Sequence, residues 1–197
     1  MRTSLTLVLL TAMAAVAACG EPPLSHQDDV MAWRAEKDAF MRSAESPVVP
    51  EARAGFAPLA YFAVDQDYRV PAALTVAPSD AVLELPTSTG QRRQMRRVGT
   101  LAFTLKGLPH TLTAFVDAAQ PDMRRLFVPF GDLTNGTESY TGGRYLDLDR
   151  TATGIYDLDF NRAYFPFCYY NEAYDCPLPP RENRLKVPIR AGERMSK

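Results

Sequence analysis

From residue 74 onward the chain alternates apolar and polar side chains with a period of two. The runs LTV (74–76), VLEL (82–85), GTLAFTLKG (99–107), HTLTAFVDA (110–118), RLFVPFGD (125–132), RYLDLD (144–149) and RLKVPIRAG (184–192) all carry it. Successive side chains of an extended chain point to opposite faces, so this pattern builds strands with one buried face and is incompatible with a helical bundle. Leu101, Phe103 and Leu105 share such a face, as do Leu126, Val128 and Phe130, and Leu185, Val187 and Ile189. Between the runs lie APSDA, PTSTG, KGLPH, AAQPDM and GDLTNG, whose Gly, Pro, Asp and Asn residues make tight turns. Tight turns join antiparallel neighbours. The expected fold is therefore mainly β within the α+β class: a small antiparallel β-barrel or sandwich with one N-terminal helix packed outside.

That helix is HQDDVMAWRAEKDAFMRSAES (26–46), with Asp28 or Asp29 as its cap and Ser46-Pro47 as its end. Val30, Trp33, the stem of Lys37, Phe40 and Met41 fall on one stripe, which makes Trp33, the single tryptophan, the expected anchor on the sheet. With 197 residues, 46% of them hydrophobic, the chain can bury one sizeable core, so a single domain over 28–195 is expected. A formal charge of -1 supplies no basic field for phosphates, which argues against a nucleic-acid partner. The one basic run, QRRQMRR (91–97), reads as a solvated strand face.

The first residues, MRTSLTLVLLTAMAAVAACG, read as an export signal over 1–18: Arg2 at the start, an apolar stretch too short to span a bilayer, then small residues leading into Cys19. Val16-Ala17-Ala18-Cys19 resembles the lipobox of bacterial lipoproteins, which implies that Cys19 is lipidated and becomes the mature N-terminus. The alternative is ordinary cleavage at the small-residue pattern Ala15-Val16-Ala17, with Cys19 incidental. Setting Cys19 aside leaves an even pair, Cys168 and Cys176. The expected partner is thus a lipid bilayer reached through the anchor, and the expected place is the cell envelope, on the periplasmic face of the outer membrane in a double-membraned cell. Residues 19–27 form the lipidated tether; its eight residues after Cys19 reach less than about 30 Å, holding the domain near the membrane.

Two stretches carry a stronger signal: FGDLTNGTESYTGGRYLDLD (130–149) and YDLDFNRAYFPFCYYNEAYDCPLPPRENRLKVPIRAGE (156–193). With Trp33-Arg34 and YFAVDQDYRV (61–70), they resemble the family known as domain of unknown function 1684. The resemblance covers most of the mature chain and implies no activity. Matching positions are Gly142, Gly143, Arg144, Tyr145, Asp159, Phe160, Asn161, Tyr164, Pro166, Cys168, Tyr170, Asn171, Cys176, Pro177, Pro180, Glu182 and Asn183. Phe165 departs from the pattern, where the family tends to place asparagine, and so removes a hydrogen-bonding group.

Several chemistries are excluded or left open by these residues. Cys168 and Cys176 enclose a short loop, and a disulfide there contributes about 2–3 kcal/mol in the chain-entropy account. The alternative is a reactive thiolate with Arg181 or Arg184 as the activating cation. Two histidines, His26 in the tether and His110 at a turn, do not make a Ser-His-Asp triad or a zinc site. DLDFNRAYFPFC fails the calcium-loop pattern, with Arg162 in place of glycine and Cys168 in place of glutamate, so Asp147, Asp149, Asp157 and Asp159 read as solvent-facing strand carboxylates. No metal or cofactor motif is present. Gly142-Gly143-Arg144 reads either as an anion nest or as a glycine turn, with Arg144 paired to Glu138 or an aspartate. Arg144, Tyr145, Asp159, Asn161, Tyr164, Tyr170, Asn171, Glu182 and Asn183 are the candidate lining of a small-molecule pocket, with Tyr140 beside them. Two rival functions stand beside that one. The first is an envelope enzyme with Asp159 or Glu182 as general base and Arg144 as anion stabiliser; the second is a structural or partner-binding lipoprotein.

Overall fold

The computed structural model describes residues 24–79 and 81–196. The signal segment, Cys19 and most of the tether lie outside the described residues. Helix α1 (His26–Met41) begins two residues before the expected cap, because Ser25 accepts a hydrogen bond from the Asp28 amide. Its buried side is Val30, Arg34 and Met41, whereas Trp33, Lys37 and Phe40 are half-buried. The anchor is therefore Arg34 rather than Trp33: its guanidinium lies 4.4 Å from the centre of the Tyr61 ring and donates to the Phe62 carbonyl at 3.0 Å. An arginine inside a helix docking face escapes an apolar-stripe reading, because its long stem packs while its head finds carbonyls. A single turn, α2 (Pro50–Arg53), leads to the sheet.

The strands are β1 (Arg69–Val76), β2 (Val82–Pro86), β3 (Arg92–Leu105), β4 (Leu108–Asp117), β5 (Arg125–Phe130), β6 (Arg144–Asp149) and β7 (Ile155–Asp159). They form one seven-stranded sheet in the order β6-β5-β4-β3-β1-β7, with β2 also on β3, and every pairing is antiparallel. The sheet rolls into a nearly closed barrel with few helices beside it, the mainly β architecture that the alternation predicts. β3 is long because it serves two neighbours on one edge, with β4 along the other: Arg92–Arg96 pair with β2, and Gly99–Phe103 pair with β1. A bulge between Arg97 and Gly99 separates the halves, and any Cβ at Gly99 would sit 2.3 Å from the Thr75 carbonyl oxygen. Leu101, Phe103, Leu105, Leu112, Leu126, Val128, Phe130, Leu146 and Leu158 fill the barrel, each at most 5% exposed.

Two segments differ from the sequence reading. RLKVPIRAG is not a strand: residues 184–192 run irregularly, burying Leu185, Ile189 and Ala191 against the core while Val187 is half-buried. Its alternation arises because the segment dips repeatedly into the barrel, its backbone held by Gly131 and Asp132 (Leu185 N–H to Gly131 O, 2.8 Å; Ile189 N–H to Asp132 Oδ1, 3.0 Å). The missing strand is instead β7, which pairs with β1 from Arg69↔Asp159 to Ala73↔Ile155.

Candidate functional site

After β7 the chain leaves the sheet and crosses the outside of the barrel as an aromatic arm. Backbone bridges tie the arm down at Tyr145↔Tyr164 and Thr87↔Pro177, and Leu178 N–H donates to the Pro86 carbonyl at 2.7 Å. The Tyr145 hydroxyl donates to the Pro177 carbonyl, and its ring meets Phe127 edge-on at 4.6 Å and Tyr164 at 5.8 Å. Between arm and sheet lies a groove of about 490 Å³. Its sheet side is Arg93 and Met95 of β3, Asp117 of β4, Phe127 of β5 and Tyr145 of β6; its arm side includes Tyr164, Phe167, Tyr174, Asp175, Cys176 and Pro177. Such a volume, with aromatic walls and few polar groups, falls in the range of small-molecule sites.

The charged groups of the groove are unequally engaged. Asp117 accepts from the amides of Ala119 (2.8 Å) and Gln120 (3.1 Å), and Asp175 accepts from the Thr89 hydroxyl (2.7 Å). The Arg93 guanidinium makes no hydrogen bond or ion pair within 4 Å among the described residues; its charge acts at longer range on Asp175 and Cys176, and its donors are free to meet an anion.

Of the residues singled out in the sequence, Tyr145, Tyr164 and Cys176 border this groove. Tyr164 also donates to Asp147 at 2.9 Å, and Lys37 Nζ lies 4.2 Å from the centre of its ring. The others face elsewhere. Arg144 is fully buried under the barrel core, donating to Asp132 Oδ2 (2.8 Å) and to the carbonyls of Ile189 (2.7 Å), Ala191 and Glu193 (3.1 Å). Burial lowers its pKa, and the Asp132 charge opposes the shift. Gly142-Gly143 is a turn entering β6: Gly143 has φ +91°, and a Cβ there would lie 2.6 Å from the Phe130 carbonyl oxygen. Glu138 pairs with Arg190, not with Arg144.

Asp159 and Asn161 bind the N-terminal helix and the β1 entrance. Asp159 Oδ2 is 2.8 Å from His26 Nε2, and Asn161 exchanges two hydrogen bonds with the backbone of Asp65 (both 2.9 Å). His26 thus belongs to the fold rather than to the tether. An ion pair between Asp29 and Arg162 reinforces the same junction. Tyr170 donates to Glu193 (2.8 Å), Asn171 donates to the Pro47 carbonyl (2.9 Å), and Glu182 is exposed. Asp159, Glu182 and Arg144 do not converge on one cavity.

Asn183 is fully buried between β4 and β5. Its amide donates to the carbonyls of Thr113 (2.8 Å) and Pro129 (2.7 Å) and accepts from the Thr113 amide (2.7 Å). Pro129 has no N–H for Thr113, so the β4–β5 ladder opens here and the side-chain amide completes it.

Sequence reasoning missed Arg93, Asp117, Phe127, Phe167, Tyr174 and Asp175 in the groove, and Lys37 with Glu193 beside it. The available signal for Arg93 was its place in the basic run, where it and Met95 share a strand face. The Lys37–Glu193 pair (2.6 Å) is a buried clasp: Glu193, 1% exposed, also accepts from the Phe165 amide (2.6 Å), and burial lowers the Lys37 pKa against the pull of Glu193. The Phe165 ring is buried against Tyr169 at 4.5 Å.

Cys168 and Cys176 are free buried thiols in contact, with the Cys168 amide donating to Cys176 Sγ at 3.2 Å. A hydrogen bond from the Cys176 thiol pulls Cys168 down to about 6 against the effect of burial, with the Ser88 and Tyr140 hydroxyls adding to it; Cys176 is pushed up correspondingly. Neither Arg181 nor Arg184 enters this balance. Among the described residues no group of three or more His, Cys, Asp or Glu side chains could hold a metal ion.

The architecture is that of a small antiparallel barrel with an aromatic arm strapped over its outer face. The chain belongs to the family described as protein of unknown function (DUF1684), whose profile matches residues 54–194. It is similar to an uncharacterized protein of Haloarcula marismortui solved by solution NMR, at 43% identity and a TM-score of 0.67, over 85% of this chain and 93% of that one. No protein of curated function matches it.

Proposed function

We propose that the protein is a lipid-anchored envelope protein whose groove takes a small aromatic or apolar ligand carrying an anionic group. The observation that carries this reading is the aromatic groove with the Arg93 guanidinium unpaired at its edge, while both carboxylates nearby are occupied by the protein's own donors. Burial of rings against Phe127, Tyr145 and Tyr164 supplies affinity, and Arg93 fixes orientation. The fluorescent probe 8-anilinonaphthalene-1-sulfonate has this chemistry and is expected to bind the folded protein at one site. Arg93→Ala weakens binding by up to about fivefold, the worth of an exposed charge contact of at most about 1 kcal/mol. Ala173→Trp fills the groove from the exposed arm and reduces binding to background; unchanged binding by this variant would overturn the reading.

The anchor rests on the sequence around Cys19. Among the described residues no helix is long and apolar enough to cross a membrane. Expressed with its leader, the protein is expected in the membrane fraction with a diacylglyceryl mass on Cys19, and Cys19→Ser is expected in the soluble fraction. A wild-type protein that keeps its initiator methionine refutes the anchor.

A further inference from the structure

We propose that Cys168 and Cys176 are a reversible dithiol–disulfide couple at the groove wall that reacts with disulfide-bearing molecules, Cys176 meeting the incoming disulfide and Cys168 resolving the mixed disulfide. The inference rests on the groove reading for its access route. Turns within the intervening loop (Tyr170 N–H to Phe167 O, 3.0 Å; Tyr174 N–H to Asn171 O, 3.1 Å) fold it back so that the two sulfurs face each other. The Cys168 amide donates to Cys176 Sγ at 3.2 Å and the two thiols share a hydrogen bond, so the sulfurs already lie side by side.

The two cysteines are not equivalent. Cys176 borders the groove and Cys168 does not. A disulfide entering the groove therefore meets Cys176 first. The pair shares its protons across one sulfur-to-sulfur hydrogen bond, and the hydroxyls of Ser88 and Tyr140 help to hold the anion that remains when the first proton leaves. Such a pair titrates as a unit and carries thiolate at a pH where an isolated cysteine is largely protonated.

The atoms balance as follows. The one proton left on the pair passes from Cys176 to Cys168 through their shared hydrogen bond; the Cys176 thiolate so formed attacks one sulfur of an external disulfide, forming a mixed disulfide and expelling the first thiolate, which takes the proton from Cys168. Cys168 as thiolate then attacks the Cys176 sulfur, forming the internal bond and expelling the second thiolate. The pair loses two protons and two electrons; the external disulfide gains both and leaves as two thiols. Because Ala173, Tyr174, Asp175, Cys176 and Pro177 are also groove wall, the redox state of the couple is read directly by whatever occupies the groove.

The test uses the full chain equilibrated with oxidised and reduced glutathione, quenched in acid, labelled with N-ethylmaleimide and read by mass on the tryptic peptide 163–181, which holds both cysteines and excludes Cys19. The wild type is expected to pass from two labels to none with no lasting glutathione adduct. Cys168→Ser is expected to accumulate a glutathione adduct on Cys176, and Cys176→Ser to form one on Cys168 about tenfold more slowly or not at all, the reaction following access to sulfur. Two labels at every glutathione ratio, or faster adduct formation at Cys168 than at Cys176, would overturn the proposal. Binding of 8-anilinonaphthalene-1-sulfonate by the reduced protein separates the two readings. Inert thiols in a protein that binds the probe remove the couple alone; a couple that exchanges as described in a protein that does not bind the probe removes the groove ligand alone.

Discussion

Asp132→Asn is expected to lower the unfolding free energy by about 3–5 kcal/mol, the cost of leaving a buried charge without its counterion. Asp132 and Arg144 both have side chains with 0% exposure, so no solvent replaces the lost carboxylate. The carboxylate does three things at once. It pairs with Arg144 at 2.8 Å, accepts from the Thr134 amide at 2.8 Å, and accepts from the Ile189 amide at 3.0 Å. An asparagine of the same shape keeps one acceptor oxygen and presents an NH2 group to a cation or an N–H. Arg144 also holds the carbonyls of Ile189, Ala191 and Glu193, so its displacement frees the C-terminal segment from the barrel. The measurement is a urea titration, in which the midpoint falls and the slope stays that of the wild type if only stability has changed. A loss below about 1 kcal/mol would mean that Arg144 finds other compensation and that the pair is not the clasp described.

Asn183→Ala is expected to cost about 3 kcal/mol or more, because it orphans several buried backbone groups that each cost about 1–3 kcal/mol when unpaired. The affected groups are the Thr113 amide and carbonyl and the Pro129 carbonyl. The effect has a local signature that general destabilisation lacks: amide exchange at Thr113 rises more than at Leu101 or Leu112 on the intact β3–β4 ladder. Equal acceleration at all three positions would show that Asn183 does not bridge the open stretch between β4 and β5. Asp is not a conservative replacement here, since it lacks the NH2 that serves two carbonyls.

Both predictions concern residues whose chemistry was visible in the sequence but whose employment was not. Arg144 was a candidate for a polar site because it follows Gly142-Gly143 in a candidate anion nest, and Asn183 because a buried asparagine needs partners. The structure meets that need with backbone carbonyls and one aspartate, and spends them on closing the barrel. Tyr145 and Tyr164 instead have one polar end to anchor and a ring left over. They hold the arm through Pro177 and Asp147 and still offer faces to the groove. Arg93 and Asp117 could not be joined to them by spacing, since Met95↔Asp117 and Phe115↔Phe127 become neighbours only through strand register.

Period-two alternation by itself determined the mainly β class, the inward faces of β3 and β5 and the antiparallel order of the hairpins, because side-chain direction along an extended chain is a local property; it left barrel and sandwich open. The sequence also marked the aromatic, proline-rich arm, because proline keeps much of that segment out of any ladder. Tertiary structure alone decided that residues 155–159 form the last strand while 184–192 do not, since the first finds β1 as a partner and the second is captured by Asp132 and Arg144. It alone decided which polar groups face a groove and which seal the core, because an unpaired buried donor or acceptor takes the nearest partner in space, and distance along the chain does not report that.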